Sequence, residues 1–365
     1  VTISTRGRIA TGLVLVTTSA IVLAGCAAAP EDATSSKTAI DFTPCMVSDA
    51  GGFDDKSFNQ LGYEGLQEAS SALGVKPNSA ESKDETDYAP NIDSMVAAGC
   101  DLIVTVGFNL SAATVTAAKA NPDVKFAIID DAADNDFDGK TDAPNIKPIL
   151  FDTSQAAFLA GYASASYSKT GKVGTFGGIN YPTVAVFMDG YAQGVDYFNK
   201  QKSKDVKVLG WNEAKQDGSF TGDFVANDKA KSVAQGLIDQ GADVIFPVGG
   251  PIFQSAGAAI TDSGKDIALL GADADVYDTF PTYDSLYLTS VLKGMKAAVN
   301  DVVTSAANGD FDVTPYIGDL KNDGVGIAPF HDFEGKVDPS LQGELDTIKA
   351  SIISGDIKVK SYLNS

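Results

Sequence analysis

Two α/β lobes, each a parallel sheet with helices on both faces and with a ligand cleft between them, are predicted for this 365-residue chain. Three observations predict them. Short Val/Ile/Leu/Phe runs alternate with stretches whose apolar residues recur every three or four positions, which is alternation of strand and helix. The strand runs are apolar throughout, so both faces of each sheet must be covered. The pattern also restarts near Phe151, with four β-α units in 45–131 and four more in 171–275, and about 325 residues are long for one domain.

The elements follow in order. The first strand ends at Ser48-Asp49. Gly51-Gly52 lets the backbone turn tightly, since glycine tolerates positive φ. Ser57 is placed to cap a helix starting at Phe58-Asn59 and running through 61–73. Strands at 102–107 and 125–130 alternate with a helix at 111–120. The helix at 153–167 opens the second half. There, strands at 172–176, 206–211, 243–248 and 267–271 alternate with helices at 184–198, 230–238 and 252–260.

The N-terminus carries an address. Arg6 and Arg8 precede an apolar stretch, 9–23, that is short for a membrane span and reads as a secretory signal. It ends in Leu23-Ala24-Gly25-Cys26, which looks like a bacterial lipobox with Cys26 as the acylated residue. Residues 1–25 are then a signal peptide and 26–40 a flexible tether. Each buried acyl CH₂ contributes ~0.8 kcal/mol, so two or more chains anchor firmly. The protein is expected on the extracytoplasmic face of a bacterial cell membrane.

Composition narrows the partners. The formal charge is −21, and loss of Arg6 and Arg8 makes it about −23 in the mature chain. Such acidity argues against nucleic acids and phosphate-rich ligands. Of three cysteines, two remain after lipidation. Cys45 lies on the first strand and Cys100 just before the strand at 102–107. In a parallel sheet those strand starts can be neighbours, so a disulfide is expected rather than two buried thiols.

Catalysis has little to work with. The single histidine, His331, lies outside every predicted strand end, so a nucleophile-base set is hard to assemble. No catalytic residue, cofactor or metal is expected. Asp273-Ala274-Asp275-Val276-Tyr277-Asp278 loosely resembles the calcium-holding cluster of nucleoside hydrolases, but follows a late strand. Asp134, Asp136, Asp138 and Gly139 match half of an EF-hand-like loop. Its twelfth position is Asn145 rather than Glu, so a solvated turn is expected there.

Binding uses the acids better. Asp49, Asp130, Asp131 and Asp273 all stand at strand ends, where open α/β sheets bind small ligands. A carboxylate accepts both hydroxyls of a cis-diol and repels phosphate. Asn59 offers a donor and an acceptor to a base edge, and Gly249-Gly250 allows close approach of backbone N–H groups.

The run Asp49-x-Gly51-Gly52-x-x-Asp55-Lys56-Ser57-Phe58-Asn59-Gln60 resembles the Bmp (basic membrane protein) family of lipoproteins. Gly171 to Gly178 with Pro182, Phe187, Gly190 and Gly194 extend the resemblance. So do the segments 238–246, 271–275, 289–293 and 352–359. The resemblance implies a type I periplasmic-binding-protein fold, and a nucleoside receptor that serves an ABC permease. Phe58 and a second Phe would sandwich the base; Phe224 is favoured by its spacing to Lys229 and Lys231, with Phe220 the alternative. Lys293 would donate to a ribose hydroxyl or pair with Asp273, and Asp130 or Asp131 would meet a purine edge. The implied lobes are 41–152 plus about 288–318, and 153–287 plus about 319–365, with crossings near Asp152, 281–290 and 319–324. A monomer is expected. A sugar-binding protein on the same fold, a nucleoside hydrolase and a surface adhesin or sensor stay open as alternatives.

Overall fold

Apolar runs become strands where helices cover both of their faces, and residues 40–364, which the computed structural model describes, do this twice. The expected signal peptide, Cys26 and the expected tether up to residue 39 lie outside the described residues. In chain order the first half contains β1 (Pro44–Val47), α1 (Phe58–Leu73), β2 (Asn78–Ala80), α2 (Tyr88–Ala97), β3 (Leu102–Val106), α3 (Ser111–Ala120), β4 (Lys125–Ile129) and β5 (Ile146–Phe151). The chain continues through α4 (Thr153–Tyr167), β6 (Lys172–Gly177), α5 (Pro182–Lys202), β7 (Lys207–Leu209), the small hairpin β8 (Trp211–Asn212) and β9 (Asp217–Gly218), α6 (Asp228–Asp239), β10 (Val244–Val248), α7 (Ile252–Ser263) and β11 (Ala268–Asp273). Last come α8 (Val276–Thr279), β12 (Tyr287–Lys293), α9 (Met295–Ala307), β13 (Tyr316–Gly318), β14 (Val325–Ile327) and α10 (Leu341–Ser354).

The first sheet has the order β13-β5-β4-β3-β1-β2 and is parallel throughout. The second has the order β14-β12-β11-β10-β6-β7, parallel except for its antiparallel edge strand β14. This is the expected two-lobed α/β architecture. In each sheet the strand order reverses once, between β1 and β3 and between β6 and β10. Those reversals open crevices at the C-terminal strand ends.

Helices α4 and α5 pack on the second sheet, within a core cluster that also includes residues of the first sheet. Most of α4 is buried, because α5 approaches it backbone to backbone. A Cβ on Gly190 would stand 2.2 Å from the Ser154 carbonyl oxygen, and one on Gly194 2.0 Å from that of Phe158. Cys45 and Cys100 form a disulfide with Cα atoms 6.0 Å apart.

The chain passes between sheets at Asp152, after Lys293, and between Gly318 and Val325. The middle crossing differs from the expected 281–290. From Tyr287 to Leu292, with one register shift, β12 pairs with β11 before Gly294 turns away, and α9 then packs on α1. The expected strand at 206–211 is shorter too. It ends at Leu209, because Gly210 takes φ +81° beneath the Thr175 carbonyl, where a Cβ would approach within 2.2 Å. Among the described residues no helix is long and apolar enough to cross a membrane.

Candidate ligand-binding site

The two crevices face one cavity, lined by residues of both lobes. From the first lobe it is lined by Asp49, Asp55, Phe58, Asn59, Phe108, Asn109 and Asp130; from the second by Thr183, Phe187, Phe224, Gly249, Gly250, Asp273 and Lys293.

The turn after β1 is built around Asp55. Its buried carboxylate accepts from the backbone N–H groups of Ser57, Asn59 and Gln60, satisfying the orphan donors at the start of α1. Ser57 occupies the cap position but makes no capping bond. Its hydroxyl instead crosses to the second lobe, donating to the Ala272 carbonyl at 2.9 Å and lying 3.4 Å from Asp273. Ser57 therefore ties the lobes together, and Asp55 is the cap.

Asn59 is likewise committed. Its amide nitrogen donates to Asp49 at 2.7 Å and Asp55 at 3.0 Å, while its oxygen accepts from the Asp49 N–H. This amide orients Asp49 and has no donor left for a base edge. Asp49 also accepts from Gly51 N–H. Burial raises its carboxyl to about 6, against the lowering effect of the Gly51 and Asn59 hydrogen bonds. A side chain on Gly107 would meet Asp49 at 3.3 Å and Phe58 at 3.4 Å, so the glycine after β3 makes room for both.

Lys293 ends β12 and lies buried at the centre of the site. Its ammonium donates to Asp130 at 2.6 Å and stands 3.3 Å from Asp273. The rings of Phe58, Phe187 and Phe151 lie 5.0, 5.1 and 5.7 Å from it. Burial alone would lower its pKa; the two carboxylates more than offset that and hold it above the ordinary lysine range. Asp130 and Asp273 share a further trait: both take left-handed backbone, at φ +61° and +68°. Aspartate tolerates that region better than most residues, and such positions cluster at functional sites.

Of the adjacent pair, Asp130 lines the cavity and Asp131 does not. Asp131 accepts from Ser111, from Ala133 N–H and from the Tyr181 hydroxyl. Of the two phenylalanines, Phe224 lines the cavity, while Phe220 packs edge-on against Trp211. Gly178 and Gly249 form the bed of the Phe224 ring, which would lie 2.2 and 2.6 Å from a Cβ at each. Gly249 thus serves the ring, beyond the backbone approach expected of it. Phe108, Asn109 and Thr183 were not singled out from sequence, although Gly107-Phe108 follows a strand as visibly as Asp49 does, and Phe187 was noted for the family resemblance but not as a site residue.

The acidic turn projects elsewhere. Carboxylate oxygens of Asp134, Asp136 and Asp138 lie within 4.8 Å of one another, and Asp134 accepts from the N–H groups of Asp138 and Gly139. Asn145 caps the end of α3 and the following turn, donating to the carbonyls of Ala118, Asn121 and Val124.

Residues 42–362 match the family model described as Bmp, ABC transporter substrate-binding protein PnrA-like. The chain is 30% identical to a CD4+ T-cell-stimulating antigen of Listeria innocua, over 96% of this chain and 97% of that one. It is also 30% identical to the ABC transporter nucleoside-binding protein BmpA of Lactococcus lactis, over 94% and 96% of the two chains. Among solved structures, a solute-binding protein of an ABC transporter system from Aeropyrum pernix superimposes with a TM-score of 0.74 at 24% identity, covering 87% of this chain and 92% of that one. The fold is thus that of the type I periplasmic binding proteins.

Proposed function

Since the chain belongs to the Bmp family of PnrA-like ABC-transporter substrate-binding proteins, we propose that it captures nucleosides, purine nucleosides in particular, and delivers them to an ABC permease while acyl chains on Cys26 hold it at the membrane. It is a binding protein and not an enzyme. One observation carries the choice of ligand: a phenylalanine from each lobe, Phe58 and Phe224, lines a cavity whose other walls hold Asp49, Asp130 and Asp273. Stacking on a base contributes ~1–3 kcal/mol per base and tolerates many bases. The carboxylates suit the diol of a ribose.

Electrostatics supports a nucleoside over a nucleotide. The cation lining the cavity, Lys293, is already shared between two carboxylates. A phosphate would meet net negative charge in a low-dielectric site. A free pentose would fit the acids and leave both rings without a partner.

The test is mass spectrometry of small molecules released on denaturing the purified protein, followed by titration with inosine, adenosine, guanosine, AMP and ribose. The expected result is a purine nucleoside in the released fraction and binding in the order nucleoside, then nucleotide and pentose. At about 100 times its Kd a nucleoside stabilises the fold by ~2.7 kcal/mol. Binding of ribose without binding of any nucleoside overturns the reading in favour of a sugar receptor.

A further inference from the structure

Phe108 and Tyr181 stack across the two lobes. Their ring centroids lie 3.8 Å apart with planes 11° from parallel. Phe108 belongs to the first lobe, on the turn that Gly107 makes after β3 with φ +102°. Tyr181 belongs to the second, immediately before Pro182 at the start of α5. The residue before a proline is held to extended backbone, and Tyr181 has φ −135° and ψ 151°. Its side chain therefore projects from a restricted base.

Tyr181 makes a second contact with the same opposite lobe. Its hydroxyl donates to Asp131 Oδ2 at 3.3 Å. The other Asp131 oxygen is fixed by Ser111 and by Ala133 N–H, each at 2.6 Å, so the acceptor is positioned in advance. Phe108 in turn meets the Phe224 ring edge-on at 6.1 Å. Phe108 and Phe224 line the cavity; Tyr181 does not.

We propose that Tyr181 is a positioning residue that sets the lifetime of the bound ligand from outside the cavity, by latching the lobes through Phe108 and Asp131. This rests on the nucleoside reading above for its ligand, and on geometry alone for the latch. Separating the lobes breaks both contacts at once, so they oppose ligand escape. They hold Phe108 against Phe224, the ring proposed to stack on the base. The hydrogen bond to Asp131 fixes the height of the Tyr181 ring, and the stack fixes its plane.

The experiment uses the full chain carrying Cys26→Ser, with spin labels on cysteines introduced at Asp93 and Ser232. Both are exposed positions on helices of opposite lobes, and the native disulfide leaves no other free thiol. Inter-label distances are measured in Tyr181→Ala, Tyr181→Phe and the parent, without and with inosine, beside stopped-flow inosine kinetics and thermal melting. Tyr181→Ala is expected to lengthen the distance distribution and to raise koff by roughly three- to ten-fold, the size of an aromatic-pair contribution, with kon less affected. Tyr181→Phe keeps the stack and should restore the distances and most of the residence time. Parental distances and koff in Tyr181→Ala overturn the latch. So does a Tyr181→Phe variant as open as Tyr181→Ala, which would leave the stack without a role. Absence of nucleoside binding by the parent overturns the ligand assignment instead, and the distances still decide the latch.

Discussion

The Lys293 ammonium, at the end of β12, lies 2.6 Å from the carboxylate of Asp130, at the end of β4. The two strands belong to different sheets, so this buried ion pair spans the cleft. Asp273 completes it from the second lobe at 3.3 Å. The arrangement makes Lys293 the hub on which both strand-end acids depend. Isolated buried charges are costly, whereas a paired charge can be near neutral in energy.

Lys293→Met keeps the unbranched stem to the Cε position and removes the ammonium. It strands two carboxylates, so the fold should lose about 3–5 kcal/mol at pH 7, read by urea unfolding. Adding Asp130→Asn should recover part of that loss. If Lys293→Met unfolds at the parental midpoint, the ion pair does not hold the lobes in place.

Asp49 yields a pH dependence. Its carboxyl is raised from 3.8 to about 6 by burial. An acid whose pKa is higher folded than unfolded keeps its proton longer in the native state, so stability falls as pH rises through that interval and levels off above it. Asp49→Asn removes the penalty and should flatten the profile, gaining up to about 2–3 kcal/mol at pH 7. The same variant should bind inosine more weakly, since a charged acceptor has become a neutral amide. Equal slopes of stability with pH in variant and parent between pH 4 and 6 would show that burial of Asp49 carries no such cost.

Phe224 and Phe220 should separate cleanly. Phe224→Ala removes a cavity wall and should cost ~1–3 kcal/mol of nucleoside binding. Phe220→Ala removes a partner of Trp211 and should lower the melting temperature while leaving affinity near that of the parent. Calorimetry and melting curves on both variants read the two quantities independently. Loss of binding in Phe220→Ala alone would reverse the choice of ring.

These residues show where sequence reasoning reaches and where it stops. Asp49, Asp130, Asp273, Lys293 and Gly249 could be singled out because each closes an apolar strand or follows one, and strand ends are local features. The roles of Ser57 and Asn59 were not legible. Ser57 looks like a cap until Asp55 is seen to satisfy the same N–H groups, and its true acceptor, Ala272, is 215 residues away. Asn59 looks free until its donors are counted. Tyr181 gives no local signal at all, because its partners lie on the other lobe. The middle crossing was misplaced for a similar reason: pairing of β12 with β11 decides where the chain leaves the second sheet, and pairing is not written in one strand.

Asp273 offers the sharpest separation of diol from base. Asp273→Asn is well suited to the position, because asparagine also tolerates the left-handed backbone that Asp273 adopts at φ +68°. The shape is kept, but a charged double acceptor becomes an amide that must turn a donor toward one hydroxyl. Inosine should therefore bind considerably more weakly to the variant. A 2′,3′-dideoxynucleoside has no diol to lose, so its affinity should change little. Phe58→Ala is the control, because it removes a ring proposed to meet the base whatever the sugar, and both ligands should weaken together by ~1–3 kcal/mol. Loss of the 3.3 Å contact with Lys293 will lower the stability of the Asp273 variant for any ligand, which is why the ratio of the two affinities is the quantity to measure. Calorimetric titration of both variants with inosine and dideoxyinosine gives that ratio directly, and equal losses for the two ligands in Asp273→Asn would show that this carboxylate does not hold the ribose.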